Sequence, residues 1–214
     1  MARTITDKVK FYTESPVTYT ENALYSEHLD ESIMSNHEDL IMKESAKVLC
    51  QNGGSVLNIG FGMGIIDSYI RDLTPAQHSI IEIHPQIVQK AKDMGFEETA
   101  TIYEGDWRLW ADKWRLDGTK FDAIYFDTYS IVEDEWFAFI TQVDFILNEG
   151  GIFCYFNGSA AKLGKNIPMY TNASYGYTIH SKTIPASKIV EAVDEEFDEN
   201  LLEKQDYELI WLTK

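Results

Sequence analysis

Short apolar runs alternate with longer amphipathic stretches along most of the chain. Residues 55–60 (SVLNIG), 78–83 (HSIIEI), 99–105 (TATIYEG), 121–127 (FDAIYFD) and 151–157 (GIFCYFN) are strand-like and nearly continuous in hydrophobicity, as strands buried on both faces are. Between them, residues 64–73, 85–94, 106–115 and 134–148 place their apolar positions at helical spacing. Strands alternating with helices predict an α/β fold: a Rossmann-like, doubly wound, mostly parallel sheet covered on both sides. Upstream, residues 35–51 read as a helix with Leu40, Ile41, Ala46, Val48 and Leu49 in one buried stripe, stopped by Asn52-Gly53-Gly54. Downstream, 177–184 predicts a strand, 186–197 a helix and 207–213 a last strand, with room for an antiparallel strand at one sheet edge. The absence of any repeat with a period of about 20–50 residues excludes solenoids and propellers. One domain over 1–214 is expected, with an N-terminal lid and helix in 1–52 and the Rossmann-like core in 53–214.

A length of 214 residues with 44% hydrophobic and 25% charged side chains suits a folded domain and argues against global disorder. Charge narrows the partners: 18 Lys+Arg against 35 Asp+Glu leave −17, which repels phosphate backbones and favours cationic small molecules or basic peptides over nucleic acid. Nine acids and one lysine fall in 191–208, read as a solvated helix face and loop. Cys50 and Cys154 form neither a CxxC pair nor a Cys/His metal spacing, so no metal site is expected, and a reducing, cytoplasmic setting is. No stretch has the apolar core of a secretory signal or the length of a membrane span, so no membrane partner is expected.

Chemistry gathers where the first core strand runs into Gly60-Phe61-Gly62-Met63-Gly64 and a helix follows at once. Glycines there let the backbone turn sharply and approach a ligand that a Cβ would strike. The dinucleotide fingerprint needs glycine at position 65; Ile65 stands there, which disfavours NAD and leaves a nucleoside ligand. Glu82, followed by Ile83, ends the second strand 20 residues after Gly62, the distance at which an acid accepts from ribose hydroxyls. Gly105-Asp106-Trp107 ends the third, where an amide or carboxylate can read an adenine and an indole can pack on it or serve the core. Asp127 closes the fourth strand and, by the rule that ligands lie beyond the carboxyl ends of parallel strands, faces the same crevice.

These residues resemble the guanidinoacetate N-methyltransferase family, which includes the fungal protein arginine delta-N-methyltransferases. Val56-Leu57-Asn58-Ile59-Gly60-Phe61-Gly62-Met63 is similar to its V-L-x-x-G-F-G-M segment, Ile80-Ile81-Glu82 to its I-I-E strand, and Tyr125-Phe126-Asp127-Thr128-Tyr129 to its Y-D-T-Y motif. Gly150-Gly151 with Tyr155 and Asn157 matches its fifth strand, and Met34, Glu38 and Met42 fall on its M-x-x-x-E-x-x-x-M pattern. The resemblance covers about residues 19–160 and implies S-adenosyl-L-methionine as cofactor. Tyr19, Met34, Met42, Gly60, Phe61, Gly62, Met63, Glu82, Ile83, Gly105, Asp106, Trp107 and Asp127 would then surround it. Glu38 and Asp127 become the catalytic pair gripping a guanidinium, with Thr128, Tyr129 and Asn157 on the acceptor side. Positions 34, 38 and 42 share one face if the helix begins that early.

Departures qualify the acceptor. His37 precedes Glu38 where the family has Trp, and Gly158-Ser159-Ala160-Ala161 replaces a Leu-Thr-Ser-Trp stretch that holds an acidic substrate tail. The expectation is methylation of a guanidino nitrogen on a small cationic molecule or free arginine. Arginine in a peptide or protein, and a nucleoside-binding module without catalysis, stay open, as does a homodimer.

Overall fold

The computed structural model describes residues 5–129, 135–156, 176–190 and 206–214. Helix α1 (Ile5–Thr13) leads into an antiparallel meander of β1 (Val17–Tyr19), β2 (Ala23–Ser26) and β3 (Glu31–Ser35). Thr20 shapes its first turn, its hydroxyl accepting from the amide of Ala23 (2.9 Å), and Asp30 at φ 51° turns the second. A 3-10 turn (Asn36–Glu38) then joins β3 to α2 (Asp39–Cys50).

Beyond α2 the strand–helix alternation holds: β4 (Ser55–Ile59), α3 (Ile65–Asp72), β5 (Gln77–Glu82), α4 (Pro85–Asp93), β6 (Thr101–Glu104), α5 (Trp107–Asp117), β7 (Phe121–Phe126), α6 (Glu135–Ile146) and β8 (Leu147–Tyr155). Then come β9 (Thr178–Ile184), α7 (Ala186–Val190) and β10 (Tyr207–Thr213). The seven strands β4–β10 form one sheet in the order β6-β5-β4-β7-β8-β10-β9, with β4 through β8 mutually parallel. The chain reverses direction of travel across the sheet at β4 and β7, so a crevice opens between their carboxyl ends.

Adjacent residues on each strand serve opposite cores, the reason the strands read as unbroken apolar runs. On one face Val56, Tyr125 and Cys154 meet Ile41, Met42, Ala46 and Leu49 of α2 and Ile66 and Ile70 of α3. On the other, Leu57, Ile124 and Phe153 meet Trp107 and Trp114 of α5 and Phe139 and Val143 of α6. Among the described residues no helix is long and apolar enough to cross a membrane.

Three expectations shift. The helix predicted over 35–51 begins at Asp39, because residues 31–35 pair with β2 and Ser35 opens the 3-10 turn. The strand predicted over 151–157 begins at Leu147, its first residues kinked past β7 by a register shift. The antiparallel strand is β10, second from the edge, paired with β8 on one side and β9 on the other. Asn157, Gly158-Ser159-Ala160-Ala161, the end of the helix predicted over 186–197 and most of the acidic stretch 191–208 lie outside the described residues.

Candidate active site

At the carboxyl ends of β4 to β7 lies a cavity of about 410 Å³, in the size range of small-molecule sites. Its floor is the glycine loop. Gly60 has φ +96°, and a Cβ there would sit 1.9 Å from the carbonyl oxygen of Asp127, so only glycine lets β4 and β7 end so close together. A Cβ on Gly62 would lie 2.6 Å from Met34 Sδ, and that sulfur accepts from the amide of Met63 (3.2 Å). Tyr19 donates its hydroxyl to the Gly62 carbonyl (2.9 Å), tying the N-terminal meander onto the loop.

Glu82 closes the floor from β5. Its buried carboxylate accepts from the amides of Phe61 (2.9 Å) and His84 (2.7 Å). Burial pushes its carboxyl upward, and the amides of His84, Phe61, Ile83 and Gly62 oppose that by favouring the charged form. Behind the loop, Asn58 donates to the Gly60 carbonyl and to buried Asp67 (2.8 Å each), and His78 Nε2 pairs with the other oxygen of Asp67 (2.9 Å).

Two further carboxylates line the cavity. Glu38 is brought by the capping turn, one oxygen accepting from the Ser35 amide (3.1 Å). Asp127 is brought by the end of β7, and its carboxylate accepts no hydrogen bond from the described residues. Both carboxyls stand above the ordinary carboxylate range. Burial is the main cause for each; Asp127 adds repulsion at Glu38, and Asp67 adds it at Asp127. Both are half-buried on the cavity wall, and a carboxylate drawn out of water with no cation beside it among the described residues is costly, which favours its protonated form.

The cavity gathers most of the residues singled out in the sequence: Met34, Glu38, Gly60, Phe61, Gly62, Glu82, Ile83, Gly105, Asp106, Trp107, Asp127, Thr128 and Tyr129 all line it. Trp107 serves the core, its ring edge-on against Phe139 (5.1 Å), and also lines the cavity. Asp106 caps α5 and holds the Arg108 guanidinium (3.1 Å). Tyr19 and Met63 lie a step back, in contact through the loop backbone.

Met42 departs from the expectation. Met34 is on a strand, Glu38 on a 3-10 turn and Met42 on a helix, so the three do not share a helical face. Fully buried Met42 packs in the core, its sulfur 3.5 Å from the Tyr125 hydroxyl, and does not line the cavity. The lining also includes Tyr12, Glu31, Ile33, Arg108 and Phe156, which carry no sequence signal.

The residues present fit a sulfonium nucleoside. Bare loop backbone at Gly60 and Gly62, an adjoining carboxylate at Glu82 and an indole wall at Trp107 all border the cavity and suit a ribose and a purine. Asp106 and Gly105 border the same end.

Comparison with known proteins agrees. The model of the family described as guanidinoacetate N-methyltransferase matches residues 4–192. Protein arginine N-methyltransferase 2 of Aspergillus oryzae is 32% identical over 200 residues, covering 92% of this chain and 46% of that one. The Candida glabrata protein of the same name is 38% identical over 157 residues, covering 70% of this chain and 38% of that one. The chain thus spans about half the length, or less, of these curated relatives. Among solved structures, the ribosomal protein L11 methylase of Lactobacillus delbrueckii subsp. bulgaricus aligns with a TM-score of 0.55 at 17% identity, over 84% of this chain and 79% of that one. An O-methyltransferase from Bacillus cereus in complex with SAH aligns at 0.56 and 10% identity, over 84% and 81%; at such identities the likeness is one of fold. Glycine loop, strand-end acids and family match converge: the chain belongs to the guanidinoacetate N-methyltransferase family of S-adenosylmethionine-dependent methyltransferases.

Proposed function

We propose that this chain transfers a methyl group from S-adenosylmethionine to a guanidino nitrogen of a small cationic acceptor such as free arginine. The observation that carries the reading is the half-buried Glu38–Asp127 pair, two carboxylates on one cavity with no cation paired to either among the described residues. A guanidinium presents a planar fork of N–H donors that paired carboxylates match. When bound, the cofactor supplies an electrophilic methyl group on a sulfonium. The protein's part is to hold the acceptor. Glu38, one oxygen held by the Ser35 amide, orients the fork with the other, and Asp127, which accepts no hydrogen bond from the described residues, takes the proton that the attacking nitrogen gives up. Trp107, Phe61 and Ile33 keep bulk water from the walls.

The test is transfer of an isotope-labelled methyl group to a panel of guanidines; retention of the label on the cofactor with every guanidine overturns the proposal. The reaction should also rise with pH. Carboxyls raised in the folded state are neutral at low pH and ionise as pH climbs through their raised values, so acceptor binding strengthens in that direction and releases protons. The sign for stability is opposite: the contribution of these two carboxyls to the acceptor-free fold is full below the ordinary carboxylate range and is lost as pH rises from there through the raised values. Calorimetry of acceptor binding in buffers of different ionisation enthalpy measures the proton release directly.

A second reading, methylation of arginine in a peptide or protein, is favoured by the name borne by the relatives above. Including an arginyl peptide in the panel distinguishes the two.

A further inference from the structure

One carboxylate at the mouth of the cavity is not used by the reaction just described. Glu31, the first residue of β3, lines the cavity but is exposed to solvent. Its Oε2 accepts the Tyr129 hydroxyl at 2.7 Å, a bond between residues 98 positions apart. The Tyr129 ring is itself fixed, stacked on Tyr12 with centroids 5.4 Å apart and planes 3° from parallel. Tyr12 is buried and edge-on to His84, which is pinned in turn to the Ser15 carbonyl (2.8 Å). The carboxylate is therefore held in place before any ligand arrives, with Oε1 left to take a donor, so little ordering cost remains to be met on binding.

Tyr129 lies two residues beyond Asp127 on the same chain segment, so Glu31 and the Glu38–Asp127 pair face one continuous space. Five acids line that space, Glu31, Glu38, Glu82, Asp106 and Asp127, against a single cation among the described lining residues, Arg108, which Asp106 already holds. A carboxylate tail on the acceptor would meet Glu31 as a like charge, while an ammonium tail would meet a fixed acceptor oxygen.

The geometry points to Glu31, held by Tyr129, as a specificity-determining subsite that selects guanidines bearing a cationic amine, and no carboxylate, at the end opposite the reacting group. The inference rests on the methyl-transfer reading above and narrows its small cationic acceptor to aminoalkylguanidines, which makes free arginine, with its carboxylate, a poorer acceptor than its decarboxylated form.

Three acceptors with four carbons each test it: 4-aminobutylguanidine, butylguanidine and 4-guanidinobutyrate, whose tails end in an ammonium, a methyl and a carboxylate. The expected order of kcat/KM is amine, then neutral, then carboxylate, with amine over neutral by on the order of fivefold, as for a part-exposed ion pair. Glu31→Gln should collapse the amine-to-neutral ratio towards one and lift the carboxylate acceptor; Tyr129→Phe should move the ratio the same way by less. An unchanged ratio in Glu31→Gln, a wild-type preference for the butyrate, or faster methylation of an end-blocked arginyl peptide than of the amine overturns the subsite. The same acceptors titrated calorimetrically onto the protein loaded with S-adenosylhomocysteine separate the two claims. Amine-selective binding without transfer overturns the proposed reaction and supports the subsite, whereas equal binding of all three, or binding of none, overturns the subsite.

Discussion

Asp127→Asn should lower kcat for a guanidino acceptor by about 10²- to 10⁴-fold, the range by which a positioned proton acceptor accelerates a reaction. Asparagine keeps the shape and fills the same place at the end of β7, but its amide cannot take a proton and turns N–H donors towards a guanidinium that has only donors of its own. Acceptor binding weakens as well, because the fork loses one of its two charged partners. The fold should not suffer: the wild-type carboxylate is half-buried with no hydrogen-bond partner among the described residues, so removing its charge relieves the repulsion it exerts on Glu38. Single-turnover transfer of labelled methyl, thermal unfolding, and calorimetric affinity for S-adenosylhomocysteine measured on one preparation check all three statements. Turnover close to wild type would remove Asp127 from the chemistry. A collapse of all three together would instead make it structural.

Gly60→Ala should cost about 3–5 kcal/mol of stability, combining left-handed backbone strain with overpacking. The new methyl group would stand 1.9 Å from the Asp127 carbonyl oxygen, which is backbone and cannot swing aside, so the ends of β4 and β7 must part. That loss is a large share of the roughly 5–15 kcal/mol that holds an ordinary domain together. Gly53→Ala is the control. It shares positive φ (+65°) but a Cβ there meets nothing within 4 Å, so it should cost only about 1–2 kcal/mol, the conformational part. Urea unfolding of the two variants isolates the collision, and equal losses would refute it.

The core of this site can be read from the chain because its signals are local. Gly60, Gly62, Glu82 and Asp127 each sit where an apolar run stops, and the rule for parallel sheets then brings strand ends to one crevice without knowledge of any distant contact. The N-terminal wall resists that approach. Its strands VTY, ALYS and ESIMS run three to five residues with polar and apolar positions mixed, too short for a period to emerge. One clue was present: Ser35-Asn36-His37-Glu38 has capping-box spacing, which puts the start of the helix after Ser35 and takes Met34 off it. Met42 then follows the helix into the core instead of the cavity. Tyr12 and Glu31 offer no such clue, since the partner that defines them, Tyr129, lies about a hundred positions away and only the folded chain brings it near.

The shared peptide contact between Gly60 and Asp127 binds the donor half of the cleft to the reacting acid, so drift in either is policed by the other. The meander opposite shares that constraint at Tyr19 and Met34, which hold the loop, but not at Glu31, whose partner is Tyr129. Natural variation can therefore retool the choice of acceptor at Glu31 while Tyr19 and Met34 keep the methyl-donor machinery intact, a modular arrangement through which one family can diversify without reinventing its chemistry.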